Sequence, residues 1–299
     1  SNNTNSCDLF FRLNGALHFF YRISGSNYLK LLQKIKLDAS LDLGVFKTPQ
    51  EGYLKFTSSF NLDIRVSILP TVHHEDVVLR LFKKNSRYQT FKDLTSNKTA
   101  LTLITSMCNS KNGLILVTGP TGSGKTTTLY SMLRYLKLSA RGNIVSLEDP
   151  VENYIYGIRQ SNIFPSKHYT YATGLKAILR QDPDIILVGE IRDAITAKIV
   201  LEAAYTGHLV LSSLHTHDVF ATLLRLKSFD LDPFLVSYVL RGIIAQDLSS
   251  ISSGPPSNKT KQRQLNQEIL LFNSKPTKHY FNFQSLSELG TYMPWDNEY

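Results

Sequence analysis

Short apolar runs alternate with longer segments of helical pattern from about residue 111 onward. Runs of four or five mostly apolar residues predict buried strands at residues 114–118, 144–147, 185–188 and 209–213. Helix-length segments lie between these runs, at residues 125–137, 171–180 and 194–205. Buried strands separated by helices are typical of a mostly parallel sheet covered on both faces, so the pattern predicts an α/β domain.

The first third of the chain has a different pattern, in which apolar and polar residues tend to alternate. This alternation predicts strands at residues 9–12, 17–22, 53–60 and 64–69, with a helix at 27–37. Polar stretches at residues 83–98 and 249–261 predict a break between domains and a surface loop, respectively. We therefore expect an α+β domain at 1–90, a linker region at 91–110 and the α/β domain at 111–299.

Composition narrows the class of protein. The 299 residues are 42% hydrophobic and 19% charged, which excludes a disordered or fibrous chain and favours two domains. The formal net charge is +9, and residues 1–100 contain 14 basic but only 8 acidic side chains. This excess predicts a basic surface in the first third, suited to an anionic partner such as nucleic acid, acidic lipid or nucleotide.

The cysteine positions and the hydropathy of the chain argue against a disulfide-rich, zinc-binding or membrane-spanning protein. Cys7 and Cys108 form no C-x-x-C pair, so neither a disulfide framework nor a structural zinc site is predicted, and a reducing compartment is expected. The apolar runs are far shorter than the roughly 20 residues that cross a bilayer, and no signal peptide is recognisable. Residues 1–6 do not begin with Met, which leaves open whether a segment precedes them.

A phosphate-binding motif follows the first strand of the α/β region. Residues 119–126 match G-x-x-x-x-G-K-[ST] between a predicted strand and a predicted helix. We expect Lys125 to hold the β- and γ-phosphates of a nucleotide and the hydroxyl of Thr126 to bind Mg²⁺. No Asn-Lys-x-Asp motif for guanine occurs, which favours ATP over GTP. The predicted nucleotide contacts are Gly119, Pro120, Thr121, Gly122, Ser123, Gly124, Lys125, Thr126 and Thr127.

Acidic residues and a histidine follow the other predicted strands. Gly189 and Glu190 end a strand that resembles a Walker B strand with glycine in place of the usual aspartate, and Glu148 ends another. Glu190 is our first choice for orienting or deprotonating the attacking water, and Glu148 is its close competitor; either carboxylate also suits Mg²⁺. His215 follows the fourth strand and could contact the γ-phosphate, although a single histidine at a strand end is more often structural.

Four ordered segments together resemble the secretion ATPase superfamily, the motors of type II secretion, type IV pili and competence pseudopili. They are residues 119–127 for Walker A, 146–152 for the aspartate box, 179–193 for Walker B and 206–218 for the histidine box. The resemblance implies a RecA-like P-loop NTPase domain preceded by a small α+β, PAS-like domain, and a homo-hexameric ring that uses ATP and Mg²⁺. It also implies that His215 senses the γ-phosphate and that Arg65 and Arg80 reach the phosphates when the first domain closes.

The sequence departs from this superfamily at several places. Many relatives have a four-cysteine zinc module where residues 249–261 contain no cysteine, so no zinc is expected. In this respect the chain resembles the competence pseudopilus assembly ATPases of Gram-positive bacteria. Asp247 stands where arginine is usual, and Ile195 where glutamate is usual, which leaves local interface or sensor contacts open.

The resemblance implies an ATP-hydrolysing motor that drives assembly of a competence pseudopilus for DNA uptake. We expect it in the cytoplasm, at the inner face of the cell membrane, with a polytopic membrane platform protein as its partner. A pilus retraction motor is the first alternative. A nucleic-acid-binding translocase ranks low because no stretch interleaves aromatic and basic residues, so direct nucleic-acid binding is not expected. A nucleotide-gated scaffold is disfavoured because the four segments retain their phosphate-facing residues.

Overall fold

The structure, a computed structural model, divides the chain into two compact units, Ser1–Asn85 and Ser86–Tyr299. The described residues are 6–13, 16–56, 62–72, 74–83, 91–139, 142–163, 168–253, 260–272 and 290–295. None of the helices in these ranges is long and apolar enough to span a bilayer.

The first unit combines one helix with short antiparallel sheets among its described residues. Its elements are β1 (Ser6–Leu13), β2 (Ala16–Ser24), α1 (Gly25–Asp38), β3 (Gln50–Phe56), β4 (Leu62–Pro70) and β5 (Glu75–Lys83). β1 pairs with β2, and β4 lies between β3 and β5. Tyr28, Leu32 and Ile35 of α1 pack with Val66 and Ile68 of β4. This arrangement confirms the predicted small α+β fold; of the predicted strand 53–60, residues 57–60 lie outside the described part.

The second unit contains a mixed sheet of eight strands within the described ranges. Its helices are α2 (Lys98–Cys108), α3 (Lys125–Leu138), α4 (Tyr171–Ile178), α5 (Ala194–Tyr205), α6 (Val219–Ser228) and α7 (Pro233–Val239). Its strands are β6 (Gly113–Thr118), β7 (Ile144–Glu148), β8 (Arg159–Asn162), β9 (Ile185–Val188), β10 (Leu209–Leu214), β11 (Leu240–Ser253), β12 (Thr260–Phe272) and β13 (Gly290–Met293). The spatial order is β13-β12-β11-β6-β10-β9-β7-β8, with β12 antiparallel to both of its neighbours and the strands from β11 to β8 parallel.

Both faces of this sheet are buried. Leu114 and Leu116 of β6 join a core with α4 to α7, whereas Ile115 and Val117 join another core with α2 and α3. Successive side chains of a strand point to opposite faces, so an uninterrupted apolar run buries both. The predicted mostly parallel, doubly covered sheet is therefore confirmed, and its parallel strands end at one edge.

Two segments differ from the sequence-based expectation. Residues 98–108, assigned to a linker, form α2, and Leu103, Ile104 and Met107 of this helix lie in the core beside α3. The predicted loop at 249–261 is wrong for residues 249–253 and 260–261, which continue β11 and β12 with Ser253 paired to Thr260. Backbone hydrogen bonds hold a ladder together whatever the side chains are, so polar residues there did not end the strands.

Candidate functional site

The phosphate-binding motif forms the loop between β6 and α3. Gly119, Gly122 and Gly124 have φ angles of +149°, +86° and +90°, which only glycine adopts at little cost. At Gly119 there is also no room, since a Cβ would lie 2.2 Å from the carbonyl oxygen of Gln246. The loop therefore brings its backbone to the N-terminus of α3, where free N–H groups and the helix dipole favour an anion.

A cavity of about 660 Å³ opens over this loop. The predicted residues Lys125, Thr126, Glu148, Glu190 and His215 all line it. The strand ends bring these side chains together, as expected for an open α/β sheet. Other lining residues are Asp93, Leu94, Asp149, Glu152, Tyr171, Gln246, Leu248 and Leu265.

The ammonium of Lys125 lies over the loop. Its Nζ donates hydrogen bonds to the carbonyl oxygens of Gly119 at 2.7 Å and Pro120 at 3.0 Å, and lies 3.4 Å from Nδ1 of His215. Burial lowers the pKa of Lys125, and the carboxylate of Glu190 partly offsets this shift. A phosphate group entering the cavity would thus meet a partly desolvated cation.

Glu190 lies between His215 and Arg192. Its Oε2 is 3.3 Å from Nε2 of His215, and its Oε1 is 2.5 Å from a guanidinium nitrogen of Arg192. Arg192 also lies 3.3 Å from Asp149, and its hydrogen bond to Glu190 is the main cause that raises the pKa of Arg192. Lys125, His215, Glu190 and Arg192 therefore form a continuous chain of polar contacts, of which the first three residues line the cavity.

Three protein side chains hold the carboxylate of Glu148 in place. Its carboxylate accepts hydrogen bonds from the hydroxyl of Tyr130, from Oγ of Ser146 at 2.5 Å and from Nε2 of Gln160 at 3.2 Å. The residue is only 4% exposed. Burial raises the pKa of Glu148, and the hydrogen bonds from these donors counteract the shift.

The lack of space around position 189 explains why a glycine stands there. A Cβ at this position would lie 2.8 Å from the hydroxyl oxygen of Tyr171 and 3.4 Å from Cα of Glu148. The tyrosine therefore fills the space that a side chain at the end of β9 would need. An aspartate here would require Tyr171 to move.

Thr126 faces a carboxylate that the sequence-based assignment left out. Its hydroxyl donates a hydrogen bond to Oε1 of Glu152 at 3.3 Å. Burial raises the pKa of Glu152, and this hydrogen bond lowers it. No group of three His, Cys, Asp or Glu side chains in the described residues is arranged to hold a metal. A hydroxyl and a carboxylate are nonetheless ligands that suit Mg²⁺, which usually takes its remaining oxygens from phosphates and water.

Arg65 and Arg80 belong to the first unit and lie directly opposite each other on β4 and β5. Arg65 forms an ion pair with Glu51, at 2.6 Å, and Arg80 is exposed. Like charges opposite each other in an antiparallel pair are destabilising. The ion pair with Glu51 offsets part of this repulsion.

Several polar side chains at the site were missed by reasoning from the sequence. Arg192 lies within the Walker B segment, and Tyr130 follows Thr126 by one helical turn, so both could have been found from spacing. Ser146 was recognised only as part of the aspartate box. The partners of Gln246, Ser123 and Thr128, lie far away along the chain, so its role had no local signal, whereas Gln160 contacts the nearby Asn153 and Glu148 and was overlooked.

The profile of the family described as "Type II/IV secretion system protein" matches residues 1–282. Type II secretion system protein E of Pectobacterium carotovorum subsp. carotovorum is 44% identical over 239 residues, which cover 80% of this chain and 48% of that protein. Type II secretion system ATPase E of Vibrio cholerae serotype O1 is 40% identical over 266 residues, covering 89% and 52%. The chain spans about half the length of these curated relatives.

Solved structures agree with the fold. The crystal structure of the pilus retraction motor PilT with bound ADP has a TM-score of 0.71 at 28% identity and covers 92% of this chain and 80% of its own. The Legionella pneumophila ATPase DotB has a TM-score of 0.67 at 22% identity, covering 90% and 76%, and supports the fold alone. The predicted RecA-like P-loop fold class is confirmed.

Proposed function

Because the chain belongs to the type II/IV secretion system protein family, we propose that it binds and hydrolyses ATP. The observation that carries this proposal is the chain of contacts from Lys125 through His215 to Glu190, beside the phosphate loop in one cavity. It combines a cation for phosphate oxygens with a carboxylate for water, the two groups that hydrolysis of a phosphoanhydride needs.

The loop from Gly119 to Thr127 binds the phosphates through its backbone amides and Lys125. Glu190 orients or deprotonates the attacking water. Glu148 is only 4% exposed and accepts hydrogen bonds from three protein side chains, whereas the side chain of Glu190 is 18% exposed to the cavity solvent, which supports Glu190 over Glu148 in this role. His215 contacts Glu190 on one side and Lys125 on the other, which supports its assignment as γ-phosphate sensor.

Magnesium is the second part of the proposal. Thr126 provides the hydroxyl ligand, and Glu152 stands beside it as a carboxylate that our sequence-based set of Thr126, Glu190 and Glu148 did not contain. When bound, Mg²⁺ neutralises charge on the phosphate oxygens. We further propose, from the resemblance, that Arg65 and Arg80 engage the phosphates when the first domain closes.

The work coupled to hydrolysis is assembly of a pseudopilus or pilus. The names of the relatives support this: type II secretion proteins, and the type IV pilus assembly ATPase TfpB of Acinetobacter baylyi, 39% identical over 240 residues that cover 80% of this chain and 41% of that protein. At a finer level we propose a homo-hexamer in the cytoplasm that acts on a polytopic membrane platform protein and serves a competence pseudopilus for DNA uptake. A pilus retraction motor is the second candidate, supported by the likeness to PilT.

The test uses the purified chain. We expect Mg²⁺-dependent ATP hydrolysis that EDTA abolishes, and a loss of about a hundredfold in Glu190→Gln. Glu202→Gln, an exposed carboxylate on α5, is the matched control and should hydrolyse ATP like wild type. If Glu190→Gln and Glu148→Gln both keep wild-type turnover, the assignment of the base is wrong. Hydrolysis stimulated by DNA with a steep salt dependence would favour a translocase instead.

Two further measurements test the role of the two arginines and the cellular process that the motor serves. Arg65→Glu and Arg80→Glu should lower turnover but spare nucleotide binding, because the loop amides remain intact; normal turnover would exclude the closing role. In the native host, deletion of the gene should abolish pseudopilus fibres and DNA uptake. Longer or more numerous fibres after deletion would support retraction.

A further inference from the structure

Gln246 lies where β11 leaves the parallel sheet. β11 pairs with β6 from Leu240 to Ala245, and beyond that point its pairing within the described residues is with β12 alone. The side chain of Gln246 is fully buried. It therefore sits at the root of a two-stranded ribbon whose Leu248 and Leu265 line the cavity.

One side chain contacts the phosphate loop and the helix that follows it. Nε2 of Gln246 donates a hydrogen bond to the carbonyl oxygen of Ser123 at 2.6 Å. Its Oε1 accepts one from the hydroxyl of Thr128 at 2.8 Å. The backbone oxygen of the same residue packs so closely on Gly119 that no Cβ fits there. Gln246 thus contacts Gly119 at the start of the loop, Ser123 near its end and Thr128 in the first turn of α3.

These contacts use both functional groups of an amide. Glutamine alone among side chains of this length presents a donor and an acceptor together, whereas leucine offers neither and an ionised glutamate offers no donor. The loop they hold contains Gly119, Gly122 and Gly124, residues that lose much backbone entropy when a single conformation is fixed. A buried anchor would therefore shift the loop toward the form that presents its amides to phosphate.

We propose that Gln246 is a positioning residue of the phosphate loop, which keeps the loop in its binding conformation through Ser123 and Thr128. The inference rests on the proposed nucleotide site. If only a fraction of the molecules has a competent loop, the apparent dissociation constant rises by the inverse of that fraction. Loss of the anchor should therefore weaken nucleotide binding more than it lowers turnover at saturation.

The first test is calorimetric titration of ADP into the full chain and its variants. Gln246→Leu should bind ADP about tenfold more weakly, equivalent to about 1.4 kcal/mol. Its KM for ATP should rise in parallel while kcat changes little. Gln267→Leu is the matched control: Gln267 is the same residue type, buried, and directly opposite Gln246 on β12. It should keep the wild-type affinity.

A second variant pair keeps the proposal testable if Gln246→Leu does not fold. Thr128→Val removes the donor to Gln246 and should weaken ADP binding in the same direction, whereas Thr128→Ser keeps the hydroxyl and should restore it. Combined with Gln246→Leu, Thr128→Val should add little further loss, because the contact is already gone.

The proposal is overturned if folded Gln246→Leu or Thr128→Val binds ADP like wild type, or if kcat alone falls. It is also overturned if Gln267→Leu weakens ADP binding to the same extent, because the loss would then follow from replacing any buried glutamine and not from the contacts of Gln246. ADP binding separates this inference from the proposed function. A wild-type chain that binds ADP but does not hydrolyse ATP would refute the ATPase and leave the role of Gln246 intact.

Discussion

Nε2 of His215 lies 3.3 Å from Oε2 of Glu190. The other ring nitrogen, Nδ1, lies 3.4 Å from Nζ of Lys125. When Lys125 is protonated, Nδ1 must accept the hydrogen bond, so Nε2 carries the hydrogen that points to Glu190. His215 thereby links the cation that binds phosphate to the carboxylate assigned to water.

We expect His215→Ala to lower kcat by roughly tenfold to a hundredfold, because Glu190 loses a hydrogen-bond donor that fixes its orientation. ADP binding should persist, since Lys125 still donates to the loop carbonyls of Gly119 and Pro120. Steady-state hydrolysis and ADP titration measure the two effects separately.

His217→Ala is the control for this prediction. His217 is exposed and two residues further along, and it is not among the residues that line the cavity. A comparable loss in both variants, or wild-type turnover in His215→Ala, would contradict a role for the bridge.

Glu148 gives a prediction on pH. Burial raises its folded-state pKa above the ordinary value of 4.5. Between these two pKa values the native state binds more protons than the unfolded state, so the free energy of unfolding falls as the pH rises. A glutamine at this position cannot ionise, so the unfolding free energy of the Glu148→Gln variant does not fall for this reason. The stability of the variant relative to wild type should therefore increase from about pH 4.5 upward and level off above the folded pKa.

Urea unfolding of both proteins at a series of pH values between about 4 and 8 measures this difference. Other titrating groups are common to both proteins and cancel when the curves are subtracted. A difference that stays constant with pH, or that shrinks as the pH rises, would show that Glu148 is not held against ionisation.

Tyr130 is the side chain that ties α3 to the aspartate box. Its hydroxyl donates to Glu148 and accepts from the backbone N–H groups of Glu152 at 3.1 Å and Asn153 at 3.4 Å. Tyr130→Phe leaves these groups without that partner in a buried site, so we expect a loss of about 1–3 kcal/mol in unfolding free energy.

Tyr135→Phe on the same helix is the matched control. Its hydroxyl contacts Asn109 at 3.3 Å at an exposed position, where water replaces the lost partner. Denaturant unfolding of the two variants should separate them clearly. Equal stabilities would mean that Tyr130 contributes through its ring rather than through its hydroxyl.

The site divides into parts that the sequence could and could not predict. Lys125 and Glu190 were predictable because a local motif fixes the first and a strand end fixes the second, and parallel strands end at one edge of a sheet. The contact between Gln246 and Ser123 joins residues 123 positions apart and depends on β11 lying beside β6. No local pattern specifies that neighbour, so tertiary structure alone reveals it. Helix α2 was not predicted, although its sequence has the spacing of one apolar helix face, at Ala100, Leu103, Ile104 and Met107.

Gln267 offers a prediction on stability. Its side chain is 1% exposed, and neither amide atom has a hydrogen-bond partner in the described part of the chain. A buried polar group without a partner pays its desolvation cost in full. Leucine has a similar size, so Gln267→Leu should raise the free energy of unfolding by about 1 kcal/mol. A decrease in the denaturation midpoint would indicate that the amide has a partner in solution, such as a buried water.

The first unit contains a buried ion pair that makes a separate prediction. Nζ of Lys36 lies 2.8 Å from the carboxylate of Glu75 and also donates to the carbonyl oxygen of Val45 at 3.0 Å. Side-chain exposures are 1% and 5%. Removing one partner leaves the other charge buried and unpaired, so Lys36→Met should lower the unfolding free energy by about 3–5 kcal/mol.

The double variant Lys36→Met with Glu75→Leu removes both charges, and apolar residues of similar volume should then recover most of that loss. Lys34→Met is the control on the same helix, because Lys34 pairs with Asp38 at an exposed i,i+4 site worth at most about 0.5 kcal/mol. Denaturant unfolding of wild type, Lys36→Met, Glu75→Leu and the double variant measures the coupling between Lys36 and Glu75. If the double variant is no more stable than Lys36→Met, the cost comes from the lost packing of the lysine and not from the charge left behind on Glu75.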